Sequence, residues 1–282
     1  MRLAYLQHWA RDRFQARLGI PLEKKLFRLW LENRPGAGRL EALGLPRRAV
    51  QDALGEQALT LHVDPRKLIR LAVHGRGKGH RRPSSMIFIG DGDWDLRRED
   101  LRVGTRYRLI TELDENRSSL ADTERYQELM ACIRSGEPWA SHQEGILLDT
   151  PAKILRYLRI YVGFLDDMAV NGFDPERGKD PIGVAISREG RILKINRGLH
   201  RLAMAQRIGL PSIPVRVQCV HRLWWRQVAG EARGEEALQR VRMALAQCVP
   251  EEDPGPLDTD PAAQLPDDFW PAPRYCLSSN PS

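Results

Sequence analysis

Apolar residues in the first third of the chain recur mainly at helical spacing. Leu3, Leu6, Trp9, Phe14 and Leu18 share a face of a predicted helix over 3–18, which Gly19 and Pro21 end. A second helix is predicted from Leu22 to Glu32, with Leu26, Leu29, Trp30 and Leu31 apolar, and NRPGAG at 33–38 reads as a turn. PRRAVQDALGEQ at 46–57 and DPRKLIRLAV at 64–73 read as further short helices. The pattern then breaks: HGRGKGHRRPSS at 74–85 carries no apolar side chain beyond Pro83 and reads as an exposed loop. Met86 to Ile89 is a short predicted strand, followed by a tight turn with Gly90 and Gly92. Tyr126, Leu129, Met130 and Ile133 form one face of a helix over 121–135, stopped by Gly136 and Pro138. A long helix over 150–171 has Thr150 as N-cap, Pro151 at its first position and Gly172 as its stop.

Beyond that helix the period switches. IGVAI and ILKI are strand-like runs joined by SREG, a hairpin signal. LHRLAMAQRIG is a helix closed by Gly209, and IPVRVQCV is a strand. The order of elements predicts an α/β (α+β) fold. Four segments are expected: a basic helical extension over 1–82, a mixed α/β domain over 83–230, a helix over 231–249 and a tail over 250–282. The tail holds eight prolines, seven acidic residues and one arginine, and is expected to be extended or disordered.

Composition narrows the class. At 282 residues, 42% apolar and 29% charged, the chain is long enough for a sizeable globular core. No run is apolar enough to span a membrane, and the N-terminus is charged too early for a signal peptide, so a cytoplasmic protein is expected. Cys132, Cys219, Cys248 and Cys276 are too scattered for a zinc site or a disulfide scaffold. The net charge of +7 is uneven: residues 1–82 hold 18 Lys and Arg against 7 Asp and Glu, a net +11, and the remainder is net −4. A basic segment suits nucleic acid, acidic lipid or an acidic partner, and equally a solvated cationic surface.

The densest chemistry lies at 195–201, INRGLHR, where Asn196, Arg197, His200 and Arg201 surround Gly198 at the start of a helix. A helix start offers unpaired N–H groups and partial positive charge, glycine lets a ligand approach the backbone, and the flanking side chains add donors. That combination favours phosphate or another oxyanion. The glycines of 74–85 lack the Lys-Ser/Thr ending of a phosphate-binding P-loop.

The whole stretch DPIGVAISREGRILKINRGLHRLAMAQRIGLPSIPVRV resembles the core of the ParB/sulfiredoxin superfamily, over residues 150–222. With the upstream GDGDWD and SGEPW segments, the resemblance extends over 85–226 to ParB-like proteins that carry a G-D-W-D segment and have no established reaction. It implies a small mixed sheet with packed helices, and nucleotide phosphates (ATP, ADP or CTP, with Mg²⁺) bound through Asn196, Arg197, Gly198, His200 and Arg201. Leu199 stands where sulfiredoxins carry their cysteine, so sulfinic acid reduction is not expected. The partition proteins' G-E-R-R is also absent, and no helix-turn-helix is evident after 222.

A phosphotransferase on a small hydroxylated molecule needs a carboxylate base and a Mg²⁺ site. Asp93 and Asp95 flank Trp94, and alternation in an extended segment would point both to one side. With His200 they are the catalytic candidates, while a self-bonded Asx turn is the structural alternative. Glu144 and Asp180 are lesser candidates, and Trp224 and Trp225 suit either base stacking or an amphipathic closing helix. The expected function is thus a nucleotide-binding phosphotransferase. The alternatives are a non-catalytic nucleotide-binding or DNA-associated regulator and a scaffold with a disused site.

Overall fold

The computed structural model describes residues 20–73, 86–141, 145–178, 181–195, 197–258, 265–266 and 268–275. The helix expected over 3–18, the basic loop 74–85, Asn196, Glu144, Asp180 and Cys276 lie outside the described residues.

The first four helices are α1 (Ile20–Leu31), α2 (Ala37–Ala42), α3 (Arg47–Leu54) and α4 (Glu56–Leu59). Strands β1 (Thr60–Val63), β2 (Arg70–Ala72), β3 (Ile89–Gly90) and β4 (Arg98–Asp100) follow. Then come α5 (Thr105–Glu115), α6 (Glu124–Arg134), β5 (Trp139–Ser141), β6 (Ile146–Leu148) and α7 (Pro151–Asn171). The chain continues through β7 (Gly183–Ile186), β8 (Ile192–Lys194), α8 (Leu199–Ile208), β9 (Ile213–His221), α9 (Arg222–Ala229) and α10 (Gly234–Leu245). The fold is α/β of the α+β kind. Its main sheet runs β1-β9-β7-β8-β2-β4, with β3 also paired to β9, and β5–β6 form a separate hairpin. Strand β7 is antiparallel to β8 and parallel to β9, so α8 carries the chain from the hairpin back over the sheet.

Local chemistry explains the elements that the pattern predicts. The Thr150 hydroxyl accepts from the Lys153 amide and Pro151 opens α7, whose buried stripe is Ile154, Leu158, Leu165 and Met168. Strand β7 is buried along its whole length, so it reads as a continuous apolar run rather than an alternating one.

Three expectations are corrected. Residues 64–73 are not a helix. Asp64 accepts the Arg66 amide at 2.8 Å in a tight turn, and the chain then enters β2, which pairs with β8 and β4. Pairing within the sheet overrides a short helical periodicity here. The boundary at residue 82 also fails, because β1 and β2 belong to the main sheet and α1, α3 and β9 share one core with α8. The tail has no regular element in its described residues, but it lies on the body. Glu251 is buried, Glu251 N donates to Ile192 O, and Phe269, Trp270 and Tyr275 pack against the core.

A smaller apolar cluster of Leu113, Leu120, Leu129, Leu148, Ile154 and Leu158 joins α5, α6, β6 and α7. Among the described residues no helix is long and apolar enough to cross a membrane.

Candidate functional site

The predicted phosphate turn joins β8 to α8, and a buried cation holds it. Lys194 is fully buried, and its ammonium donates to the carbonyls of Gly183, Ile195 and Arg197, the first at 3.1 Å and the last at 2.6 Å. Three carbonyls on one ammonium provide the compensation a buried charge requires. Arg197 and Gly198 then adopt φ of 26° and 78°, and Gly198 is the N-cap of α8 without a side-chain cap. A Cβ at Gly198 would stand 3.1 Å from Ile182 Cγ1 and 3.2 Å from Ile182 Cα, so glycine is required by both conformation and space.

The side chains of the turn separate. Arg197 is exposed. Arg201 turns back: its guanidinium lies 4.3 Å from the Phe173 ring centre and donates to the Asp174 carbonyl, holding the loop after α7. Burial shifts its pKa downward. Of the described side chains of the turn, His200 lines a cleft of about 740 Å³, together with residues of α5, α6, β5 and α7.

This cleft has two chemical faces. An aromatic ladder runs along one side: Trp139 to Tyr157 at 5.8 Å, Tyr157 to Tyr161 at 5.2 Å, and Tyr161 to His200 at 5.4 Å between ring centres. The Tyr157 and Tyr161 hydroxyls are 3.1 Å apart. Arg106 and Arg108 from α5 and Arg125 from α6 supply positive charge. Glu112, Glu124 and Glu128 supply carboxylates. Arg125 pairs with Glu128 at 2.9 Å, and Glu112 accepts the backbone amide of Glu124 at the start of α6. Guanidinium forks, an imidazole and half-buried rings suit a ligand with an aromatic base and phosphates. Among the described residues no group of three His, Cys, Asp or Glu side chains is placed to hold a metal ion.

Asp93 and Asp95 are not part of this cleft. Asp95 is fully buried, and both its oxygens are taken by Arg188: Nη2 to Oδ1 at 2.8 Å and the backbone amide to Oδ2 at 2.7 Å. Burial alone would raise the Asp95 pKa, but the Arg188 hydrogen bonds outweigh it and hold the carboxyl below the usual range. Asp93 is about half exposed and meets the same guanidinium at 3.1 Å. Arg188 sits in the turn at the far end of β7, whereas the 195–198 turn joins the near end through Ile195 N to Gly183 O. The four residues of β7 separate them, ~13 Å at the usual strand rise.

The G-D-W-D segment is therefore a structural knot rather than a catalytic pair. Trp94 fills an apolar cluster with Ala185, Leu193 and Cys219. His221 completes the knot, accepting from Leu223 N through Nδ1 and donating to Gly92 O through Nε2 at 2.8 Å. Trp224 and Trp225 are buried at 5% and 1% exposure, so neither offers a face to a base.

Cleft residues that the sequence pattern did not single out include Arg106, Arg108 and Glu112 of α5, Glu124, Arg125 and Glu128 of α6, and Tyr157 of α7, and Trp139 entered only as part of SGEPW. Leu109 and Leu113, four apart after Gly104, were the available signal for α5. No family model matches this chain, and neither the curated proteins nor the solved structures provide a match.

Proposed function

We propose that the cleft at the start of α8 binds a nucleotide of the ParB/sulfiredoxin-like kind. The base lies on the Trp139–Tyr157 wall, and the phosphates face His200, Arg106 and Arg125. The carrying observation is that His200, in the first turn of α8, lines the same cleft as three arginines and an aromatic ladder. The strand–turn–helix–strand order of β8, the Gly198 turn, α8 and β9 supports the superfamily reading. Gly198 and Lys194 serve this function by shaping the turn, and Arg201 by fixing the loop beside it.

Transfer of phosphate to a small hydroxylated acceptor is the reaction this arrangement suits. A glutamate of the cleft would accept the hydroxyl proton, and arginines would stabilise charge on the transferred group. Mg²⁺ would supply further charge neutralisation on the phosphates. Calorimetric titration with ATP, ADP, CTP and GTP, with and without Mg²⁺, tests binding, and phosphorus NMR with a panel of amino acids and sugars tests transfer. The net +11 of residues 1–82 favours a second reading, a nucleotide-binding regulator associated with DNA. Binding of DNA that fades steeply with salt and vanishes when the exposed Lys24, Lys25, Arg39 and Arg48 are neutralised would support it.

A further inference from the structure

The segment Asp268–Tyr275 ties together the helices that build the cleft. Arg274 N donates to Ile208 O at the end of α8, and its guanidinium spans both oxygens of Asp114 on α5 at 2.7 Å. Phe269 and Trp270 both pack on Tyr107 of α5, with ring centres 5.4 Å away in each case. Arg66 donates to Pro271 O at 2.7 Å and stacks 5.5 Å from the Trp270 ring, while its Nε donates to Gln206 O of α8. Tyr275 lies against Gly172, where α7 ends. The segment thus touches α5, the end of α7 and α8, and these helices contribute Arg106, Arg108, Tyr157, Tyr161 and His200 to the cleft.

Two further observations link the contacts to the cleft. Arg108 and Glu112 line the cleft and also border a smaller hollow of about 260 Å³ walled by Phe269. Tyr107 immediately precedes Arg108 and is covered by the segment. Its hydroxyl lies toward Thr111 of α5 and Arg207 of α8, so the residue the segment covers also faces the junction of these two helices. Asp114 is shared: it also takes Arg207 of α8 and Arg117 at 2.7 Å, so loss of Arg274 leaves α5 and α8 still joined. That arrangement permits release without unfolding.

We infer that Asp268–Tyr275 is an intrachain clasp that sets the closure of the cleft: docked, it preorganises α5 and α8 around a ligand, and released, it loosens both. The ligand arm of this inference rests on the nucleotide reading, whereas the clasp itself does not. Preorganisation favours binding because less ordering remains to be done when the ligand arrives.

The test compares the full chain with a Trp270→Ala/Arg274→Ala variant and with the milder Arg274→Gln, by hydrogen exchange without ligand and by ATP titration. The expected result is about tenfold faster exchange in α5 and α8 of the double variant, with β9 unchanged, and a weaker effect of the same pattern in Arg274→Gln. Where the full chain binds ATP, the double variant should bind about tenfold more weakly. Unchanged exchange in α5 and α8, or acceleration spread evenly over β9 as well, would overturn the clasp. Selective loosening with no ATP binding by any of the proteins would support the clasp and count against the nucleotide reading.

Discussion

Arg188 and Asp95 close on each other through both backbone and side chain, with the Arg188 amide 2.7 Å from Oδ2 and its Nη2 2.8 Å from Oδ1. This pair pins the Gly92–Asp95 segment to the turn between β7 and β8, at the end of the hairpin away from the cleft. A carboxylate committed in this way stabilises the fold and is not available as a base.

Replacing Asp95 with Asn should therefore destabilise the protein and leave ligand binding by the folded fraction unchanged. About 3 kcal/mol is expected, the low end for a broken buried pair, because Arg188 is 22% exposed. Urea denaturation measures it, and an unchanged midpoint would contradict the assignment.

Acid should expose the same chemistry. Burial works to raise Asp95, Asp100 and Asp114, but their arginine partners prevail and hold all three folded carboxyls below their ordinary values. A depressed folded pKa stabilises the protein above the unfolded value of about 4, and that stability is lost as pH falls through the lower folded values. Stability measured from pH 6 to pH 2 should fall below about pH 4, and Asp114→Asn should flatten part of that fall.

Lys194→Met should loosen the turn. The substitution keeps the apolar stem but leaves the carbonyls of Ile195 and Arg197 without their ammonium donor. A cost of about 1–3 kcal/mol is expected for such unsatisfied groups. Thermal unfolding reads the stability change, and the proposed nucleotide affinity should fall with it.

Trp139→Ala separates base from phosphate. If the ladder stacks a base, the variant should lose ~1–3 kcal/mol of ATP affinity and bind inorganic pyrophosphate as the unsubstituted protein does. Equal losses for both ligands would place the phosphates, not the base, at Trp139.

The parts of the fold that local chemistry decides were legible in the chain. Thr150 and Pro151 announce α7, SREG announces the β7–β8 hairpin, and Gly198 and Gly209 bracket α8. The parts decided by distant partners were not. Strand β2 is three residues long and owes its form to β8 and β4, so Leu68, Ile69 and Leu71 mimic a helical stripe. The candidate site was half legible. His200 stands out beside Gly198, but Arg106, Arg125 and Trp139 become neighbours only when α5, α6 and β5 pack around it. Asp93 and Asp95 misled for a related reason: their spacing is right for a metal pair, and their partner, Arg188, is 93 residues away from Asp95.

The most direct test sets the two ends of the β7–β8 hairpin against each other in one calorimetric experiment. ATP and CTP, with Mg²⁺, are titrated into the unsubstituted protein, His200→Ala and Asp93→Asn. The cleft account predicts binding by the first, a loss of ~1.5–3 kcal/mol in His200→Ala, as for a hydrogen bond to a charged phosphate, and unchanged affinity in Asp93→Asn. Full affinity in His200→Ala together with loss in Asp93→Asn, or no binding of either nucleotide by any of the three proteins, would contradict it.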